Sequence, residues 1–439
     1  MKKRKISFQK TFNLISFIFL FTCCVYYGGR FTKLYLNNKE KIVIEENTLG
    51  KELKEKNESI LKKINEEYYF SGEVDSNYVL YSNILFRVIK IGNNNVITMI
   101  SDNSITSLAF GNDVSYDDSY INNWLNTSNN DYSGILEKNL NSKSAYLTNV
   151  PLCTDSIDEV NNSECDNYSS DYYISLLSVS DYINTGASNG FINSNEYFYL
   201  ANQNSDNEIW YVNNNGKIDI SDGSDIYGVK PVIKLKENIN LVSGDGSKDN
   251  PYIIESSFGV FGSYVKLDDD IWRVIDVNDD GIKLMYDDYI KDGNDVVSYK
   301  YSNYSYYHDD TVSGSVAYYL KNTFLSNLSY KDIVKEVDYA NGYYGSDNDY
   351  DYTDVLDTTI NTKVALVSVG DIILNHELKD YFTSTSSSKK GNFVYTVQSN
   401  DMLYSKIISS TLHVVPVITI DKDKVSGEGT KNSPMELVD

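Results

Sequence analysis

The sequence predicts an α+β fold: two tandem, mostly antiparallel-sheet modules with one or two helices each, behind an N-terminal transmembrane helix. Three observations predict it. A long segment is written twice, strand-type runs alternate with Asn-, Asp- and Gly-rich turns, and the chain opens on a basic cluster followed by an apolar run. The segment Tyr78-Val79 … Leu85-Phe86-Arg87-Val88-Ile89 … Met99-Ile100 recurs without a gap as Tyr264-Val265 … Ile271-Trp272-Arg273-Val274-Ile275 … Met285-Tyr286. Further landmarks follow in the same order. Asn122–Leu125 is echoed by Ala317–Leu320, Ile174–Asp181 by Val364–Asp371, and Val229–Ile233 by Val414–Ile418. Each copy closes on a Gly-x-Gly segment and a proline: Gly244, Gly246 and Pro251, then Gly427, Gly429 and Pro434. This places the modules at residues 68–255 and 256–439, each large enough to bury its own core.

The N-terminus is read first. Residues 1–10 carry Lys2-Lys3-Arg4-Lys5 and form a basic tail; residues 11–29 form a signal anchor whose apolar run spans Phe12 to Tyr27. Basic flanks stay cytoplasmic, so a single-pass topology at the cell membrane puts the C-terminal modules outside. The run is slightly short of the ~20 residues of a comfortable span. Two rivals are a cleaved signal peptide, for which an Ala-x-Ala-like site is missing, and a lipoprotein at Cys23 or Cys24, for which Phe21 and Thr22 fit poorly.

Residues 30–67 read as a partly helical stalk. From Thr48 it is charged and helix-favouring, with Leu49, Leu53, Ile60 and Ile64 on one side. Lys56 and Lys63 interrupt the heptad, so a solvated spacer helix is expected, with weak self-association as the alternative.

Within the first module, residues 78–91 and 95–100 read as strands joined by an Asn93-Asn94-Asn95 turn; the second copy has the tighter Asp280-Gly281 signal. Tyr120–Leu125 reads as a helix burying Ile121, Trp124 and Leu125, and Ile174–Leu177 as a buried strand. Ser178 with Asp181, and Ser368 with Asp371, have helix-capping spacing rather than a nucleophile–carboxylate arrangement. Short strands follow at Glu196–Leu200, Ile209–Val212, Lys217–Ile220 and Val229–Leu235. The two Gly-x-Gly segments lead to a proline and not a helix, which makes them turns rather than nucleotide loops.

Composition bounds the function. The net charge of −23 and pI of about 4.5 leave no basic face for nucleic acid. Four cysteines and three histidines make no zinc pattern. Cys153 and Cys165, in a polar loop of an extracellular module, are expected to form a disulfide; a loop that short is worth ~3 kcal/mol in the chain-entropy model. His308, His376 and His413 all lie in the second module, so histidine is not a general base common to both. Catalytic and metal-ligating residues are therefore not assigned, and no cofactor is expected. Calcium is the one ion with any support, from Asp347-Asn348-Asp349-Tyr350-Asp351, but Tyr352 and Thr358 occupy the positions where an EF-hand needs Gly and Glu. Arg87 and Arg273, matched charges in apolar strands, are expected to pair with carboxylates on the sheet.

Aromatic residues make the best ligand site. The chain has 39 tyrosines, and Tyr197, Phe198 and Tyr199 lie in one strand with Trp210 and Tyr211 in the next. Alternation would leave one face of this pair open to solvent, where Tyr197, Tyr199, Trp210 and Tyr211 could stack on a sugar.

These residues also carry a resemblance. Phe86-Arg87, Trp124-Leu125-Asn126, Leu176-Leu177-Ser178, Gly228-Val229-Lys230-Pro231 and Gly244–Tyr252 resemble the motifs of an uncharacterised family of surface-anchored domains in bacteria, mostly Gram-positive. That family has a Trp-Arg-hydrophobic strand, a Trp-Leu-Asn helix, a Leu-Leu-Ser segment and a Gly-Val-Arg-Pro ending. The second module departs from the ending with His413-Val414-Val415-Pro416. The ending is also similar to the C-type-lectin-like fold shared with formylglycine-generating enzymes. The resemblance implies fold and location, and carries no activity. The expected function is a membrane-anchored, non-enzymatic binding or adhesion protein for an extracellular glycan or protein. The alternatives are a cell-envelope enzyme using acidic residues, and a structural or sensory ectodomain without a small-molecule site.

Overall fold

Strands dominate, and the helices are few and short. The structure, a computed structural model, describes residues 47–438 except 112–113, 128–133, 161–164, 205–206, 258, 304–308, 345–357, 388–391 and 399–402. The basic tail, the expected anchor, Cys23, Cys24, His308 and the aspartate-rich run 347–351 lie outside these residues. Among the described residues no helix is long and apolar enough to cross a membrane.

One sheet path is traced twice. In the first half Ile84–Ile91 pairs antiparallel with Tyr78–Tyr81 and with Ile97–Ser101; Val232–Leu235 then adds to Ile97–Ser101, and Ile174–Ser175 adds to Val232–Leu235. In the second half Asp270–Asn278 takes the central place, flanked by Tyr264–Leu267 and Gly281–Tyr286, followed by Pro416–Ile420 and Val364–Leu366. Both central strands carry a bulge at the same point, after Val88 and after Val274.

A second, five-stranded sheet repeats as well. Thr106–Ala109, Ile226–Val229, Phe198–Gln203, Ile209–Val212 and Ile218–Ser221 lie side by side in the first half. Ser298–Lys300, Thr411–His413, Tyr381–Ser386, Phe393–Val397 and Leu403–Ile407 follow the same order in the second. The run expected as one strand over Val229–Leu235 is two. The chain leaves one sheet at Val229 and enters the other at Val232, and Pro231, which has no N–H to give to a ladder, sits at the crossing.

The gapless match needs one correction. Arg87 and Arg273 are equivalent, yet Arg87 faces Ile100 while Arg273 faces Met285. Ile100 therefore matches Met285, and Ser101 matches Tyr286. The turn accounts for the shift: Asn94 and Asn95 take left-handed φ values of 56° and 60° in a 3₁₀ turn, whereas the second copy closes directly from Asn278 to Gly281.

The stalk reading fails from Thr48 onward. The helix Leu49–Asn57 forms, but Leu49 and Leu53 are fully buried in the core of the first half. Leu61–Ile64 and Glu67–Phe70 then make a hairpin that extends the main sheet through Tyr69 and Lys90. Leu49 and Leu53 are thus committed inside the fold, not available as a self-association seam. Thr48–Asp439 forms one compact unit.

The matched local motifs resolve unequally. Ser119 caps the Tyr120–Leu125 helix, and Ser178 Oγ accepts from the Asp181 N–H to cap Val179–Asn184. Ser368 makes only a turn with Asp371, because Gly370, at φ 90°, turns the chain where Ser180 continues a helix. The Gly-x-Gly turns are equivalent: the carbonyls of Gly246 and Gly429 accept from the N–H of Tyr78 and Tyr264, at 2.9 and 2.8 Å. The expected carboxylate pairing is met at Arg87, by Asp102, and not at Arg273. Arg87 lies over the Tyr78 ring and Arg273 over the Tyr264 ring, at 3.9 and 4.1 Å. Arg87 reaches the Asp102 carboxylate only at 3.5 Å, and Arg273 donates to the carbonyls of Gly262 and Asn83. Stacking on the neighbouring strand's tyrosine, and not a carboxylate, is the shared device.

The halves dock face to face. The buried Trp124 indole donates to the Gly370 carbonyl at 2.9 Å, and the Tyr344 hydroxyl accepts from the Ala109 N–H at 2.9 Å. Asn139 donates to Asp276 and accepts from the Val277 N–H. A single apolar cluster runs across the junction, from Leu108 and Trp124 to Val369, Ile373 and Val417.

Candidate functional site

The aromatic residues split between the two faces of their sheet. Trp210 is 8% exposed, packs with Phe198, Leu200 and Val212, and donates its indole N–H to the Ile157 carbonyl at 2.8 Å. Tyr199 is fully buried against Phe110, its hydroxyl donating to the Asp225 carbonyl. Neither can meet a ligand, so half of the expected platform is core. Tyr197 and Tyr211 are half-buried and come together around a residue the sequence reading missed, Tyr227. Ring centroids lie 5.5 Å apart for Tyr197–Tyr227 and 4.5 Å for Tyr211–Tyr227. The Tyr227 hydroxyl donates to Asp225 Oδ2, which also accepts from Ser221 Oγ. Burial, followed by the Asp225 charge, raises the Tyr227 phenol above its ordinary range. The three half-buried rings pack on one another, with Tyr197 and Tyr227 stacked at an interplanar angle of 23°. The register counterparts of Tyr197, Tyr211 and Tyr227 in the second half, Asp380, Thr396 and Leu412, form no such group.

The larger feature is a cleft of about 870 Å³ on the other face of the first half's main sheet. Strand register builds its floor. Tyr69 faces Lys90, Lys90 faces Thr98, Thr98 faces Lys234, and Lys234 faces Thr148 across successive strands. Directly opposed residues share a sheet face, so this is one polar row. Ser175, Ser178, Asp181 and Asn202 form one wall, and the Val150–Cys153 strand with the Cys153–Cys165 bridge forms another. The expected disulfide is therefore present, at the rim of the cleft. Asp155 lies beside it, but its carboxylate accepts from the Asp166 and Asn167 N–H groups and both sulfurs are bonded to each other, so the trio supplies no thiolate to a metal.

Charge in the cleft is concentrated on Lys90. Its ammonium sits 3.0 Å from Glu67 Oε2 and 3.1 Å from Asp181 Oδ1, and the Tyr69 hydroxyl donates to the same Asp181 oxygen at 2.8 Å. Burial opposes the Lys90 charge, but Asp181, Tyr69 and Glu67 together outweigh it and hold the ammonium protonated well above its ordinary range. Burial, then the Asp181 charge, likewise raises the Tyr69 phenol. Two carboxylates thus share one cation and one phenol. Lys234 is different. It is half-buried, lines the same cleft, and has no carboxylate within salt-bridge distance among the described residues.

The equivalent surface of the second half is closed. Its row reads Asp276, Lys283, Thr419. Asn139 of the first half holds Asp276, Lys283 is clamped by both oxygens of Asp371 at 2.7 Å, and Thr419 pairs with the Tyr339 hydroxyl. Where the first half uses the Leu61–Phe70 hairpin and the disulfide loop around its cleft, the second half is covered by the first. No protein-family model, curated protein or solved structure matches the chain.

Proposed function

We propose that this chain is a membrane-anchored, extracellular binding protein of a bacterial cell surface. In this reading it carries two tandem copies of one sheet-rich module, of the surface-anchored type that the sequence resembles, and the first copy's cleft receives a glycan or protein ligand. The first module begins at Thr48 and the second near residue 256. The carrying observation is the difference between the two equivalent faces: one is filled by docking, and the other is left as a cleft lined with donors and acceptors on rigid strands. Ligand pockets are commonly preformed concavities of this size with a few converging polar groups.

One observation favours the enzymatic alternative, since Glu67 and Asp181 meet in the cleft at a single phenol. Acid–base catalysis by a carboxyl pair needs one member protonated. Lys90 bridges the two at 3.0 and 3.1 Å, so both are already engaged by the chain's own cation, which supports binding over hydrolysis.

The test is a glycan and cell-wall binding screen of residues 48–439. A fragment starting at residue 68 would lose the buried Leu49 helix and the first hairpin. Ser180→Trp, on the helix at the cleft wall, should abolish binding, while Tyr211→Ala should leave it intact. The opposite pattern would move the site to the tyrosine cluster. Binding to nothing in the screen would favour a structural or sensory ectodomain, and release of cleaved product would favour the enzyme.

A further inference from the structure

We infer that the ligand of this cleft carries a carboxylate, and that Lys234 receives it. The inference rests on the reading of the cleft as a glycan-binding site and specifies the chemistry of what enters. Its basis is the unequal state of two lysines on one polar row. Lys90 and Lys234 flank Thr98 on adjacent strands, on one face of the sheet. Lys90 is saturated by Glu67, Asp181 and the Tyr69 hydroxyl. Lys234 points into the same cleft without a carboxylate partner among the described residues. The facing charged groups are Lys90 and Glu67 on the sheet, Asp181 on the wall helix and Asp166 beside the disulfide.

A half-buried ammonium without a counter-ion is costly, and an incoming anion recovers that cost. Burial, then the neighbouring Lys90 charge, lowers the Lys234 pKa, with Glu67 opposing. The second half places its lysine one strand over, at the position of Thr98, and Thr419 stands where Lys234 would be. There the lysine on the equivalent row, Lys283, is answered internally by Asp371. In the first half the equivalent aspartate, Asp181, is turned to Lys90, and among the described residues no carboxylate answers Lys234. One ammonium without a carboxylate partner among the described residues, in a cleft that also holds Glu67, Asp181 and Asp166, suits a monoanion better than a doubly charged phosphate. The Thr98 hydroxyl, Ser175, Ser178 and Asn202 line the rest of the cleft and suit the hydroxyls of a saccharide. The ligand class is therefore an acidic sugar.

The experiment uses the full chain, purified in mild detergent, against an array of uronic-acid oligosaccharides. Each acidic member is paired with its carboxyl-reduced neutral form and with a phosphorylated sugar of the same length. Acidic members should bind about 10- to 100-fold more tightly than their reduced forms, the span of a charge-assisted hydrogen bond. Lys234→Met should erase that margin, Lys234→Arg should keep most of it, and added salt should shrink it. Lys234→Met should melt no lower than the parent, since no ion pair of Lys234 exists among the described residues. Equal binding of acidic and reduced forms, abolished by Ser180→Trp, would overturn this inference and leave the binding site standing. Preference for the phosphorylated sugars would overturn the choice of carboxylate. Absence of binding to any member would overturn this inference together with the glycan reading on which it rests.

Discussion

Trp124→Phe tests the docking of the halves. Trp124 is fully buried, and its indole N–H donates at 2.9 Å to the carbonyl of Gly370, across the junction. Phenylalanine keeps most of the ring but removes the donor. Leaving a buried carbonyl without its partner costs about 1–3 kcal/mol. The smaller ring adds a cavity term of about 1 kcal/mol, a fraction of a full truncation. The expected loss is about 2–4 kcal/mol, a large share of the ~5–15 kcal/mol that holds a typical domain. Urea unfolding followed by far-UV circular dichroism and by fluorescence would measure it. The parent should unfold in one transition by both probes, because one apolar cluster spans both halves. The variant should shift the midpoint down and become sensitive to proteolysis at the 256–262 connection under native conditions. Trp210→Phe, which removes an indole bond made wholly within the first half, should destabilise without that new cleavage. A Trp124→Phe loss below about 0.5 kcal/mol, with the connection still protected, would refute the docking argument.

Three further predictions follow from other parts of the fold. Leu53→Ala should cost about 2–5 kcal/mol by thermal or urea unfolding, because the side chain is core; a solvated stalk would lose almost nothing. Lys90→Met should destabilise by about 2–3 kcal/mol, judged by the same unfolding assay, since it strands Glu67 and Asp181 with only the Tyr69 phenol between them. Glu255 is buried, and desolvation raises its carboxyl above the ordinary range despite the donors Ser82 N–H and Asn141 Nδ2. A folded-state pKa above the unfolded value favours folding at pH below the ordinary carboxylate range, and that contribution is lost as pH rises through the raised value. Glu255→Gln should therefore gain stability relative to the parent between pH 4 and 7, whatever its offset, and a flat difference in parallel melts would contradict the assignment.

Much of the fold was readable because it is local or periodic. The Tyr120–Leu125 helix, the central hairpins, the Gly-x-Gly turns and the Cys153–Cys165 bridge all follow from patterns within a few residues. The two-for-one sheet path could be followed from the repeated order of landmarks. What failed was anything decided at a distance. The charged Leu49–Asn57 helix has the composition of a spacer, and only tertiary contact shows that its apolar side is inside. The expected platform put the neighbours Trp210 and Tyr211 together although alternation sends them to opposite faces, and nothing local shows that the Trp210 face lies under the disulfide loop. The cleft was invisible for the same reason: Tyr69, Lys90, Thr98 and Lys234 are scattered in sequence and meet only through strand register. One signal was available in part. Lys90 interrupts an otherwise apolar strand run as Arg87 does, and its second-half match is an aspartate, Asp276.

Repetition within a chain usually suggests strength in numbers, since two linked sites raise avidity by making the second binding event intramolecular. The docked faces remove that option here. The surface that could have been a second cleft is sealed against Asn139 and Trp124 of the first half. If the cleft binds as proposed, the chain is monovalent at this position despite being built twice. On the proposed surface-anchored reading, any avidity would come from many chains displayed together, with their spacing set by the anchor and not by the fold.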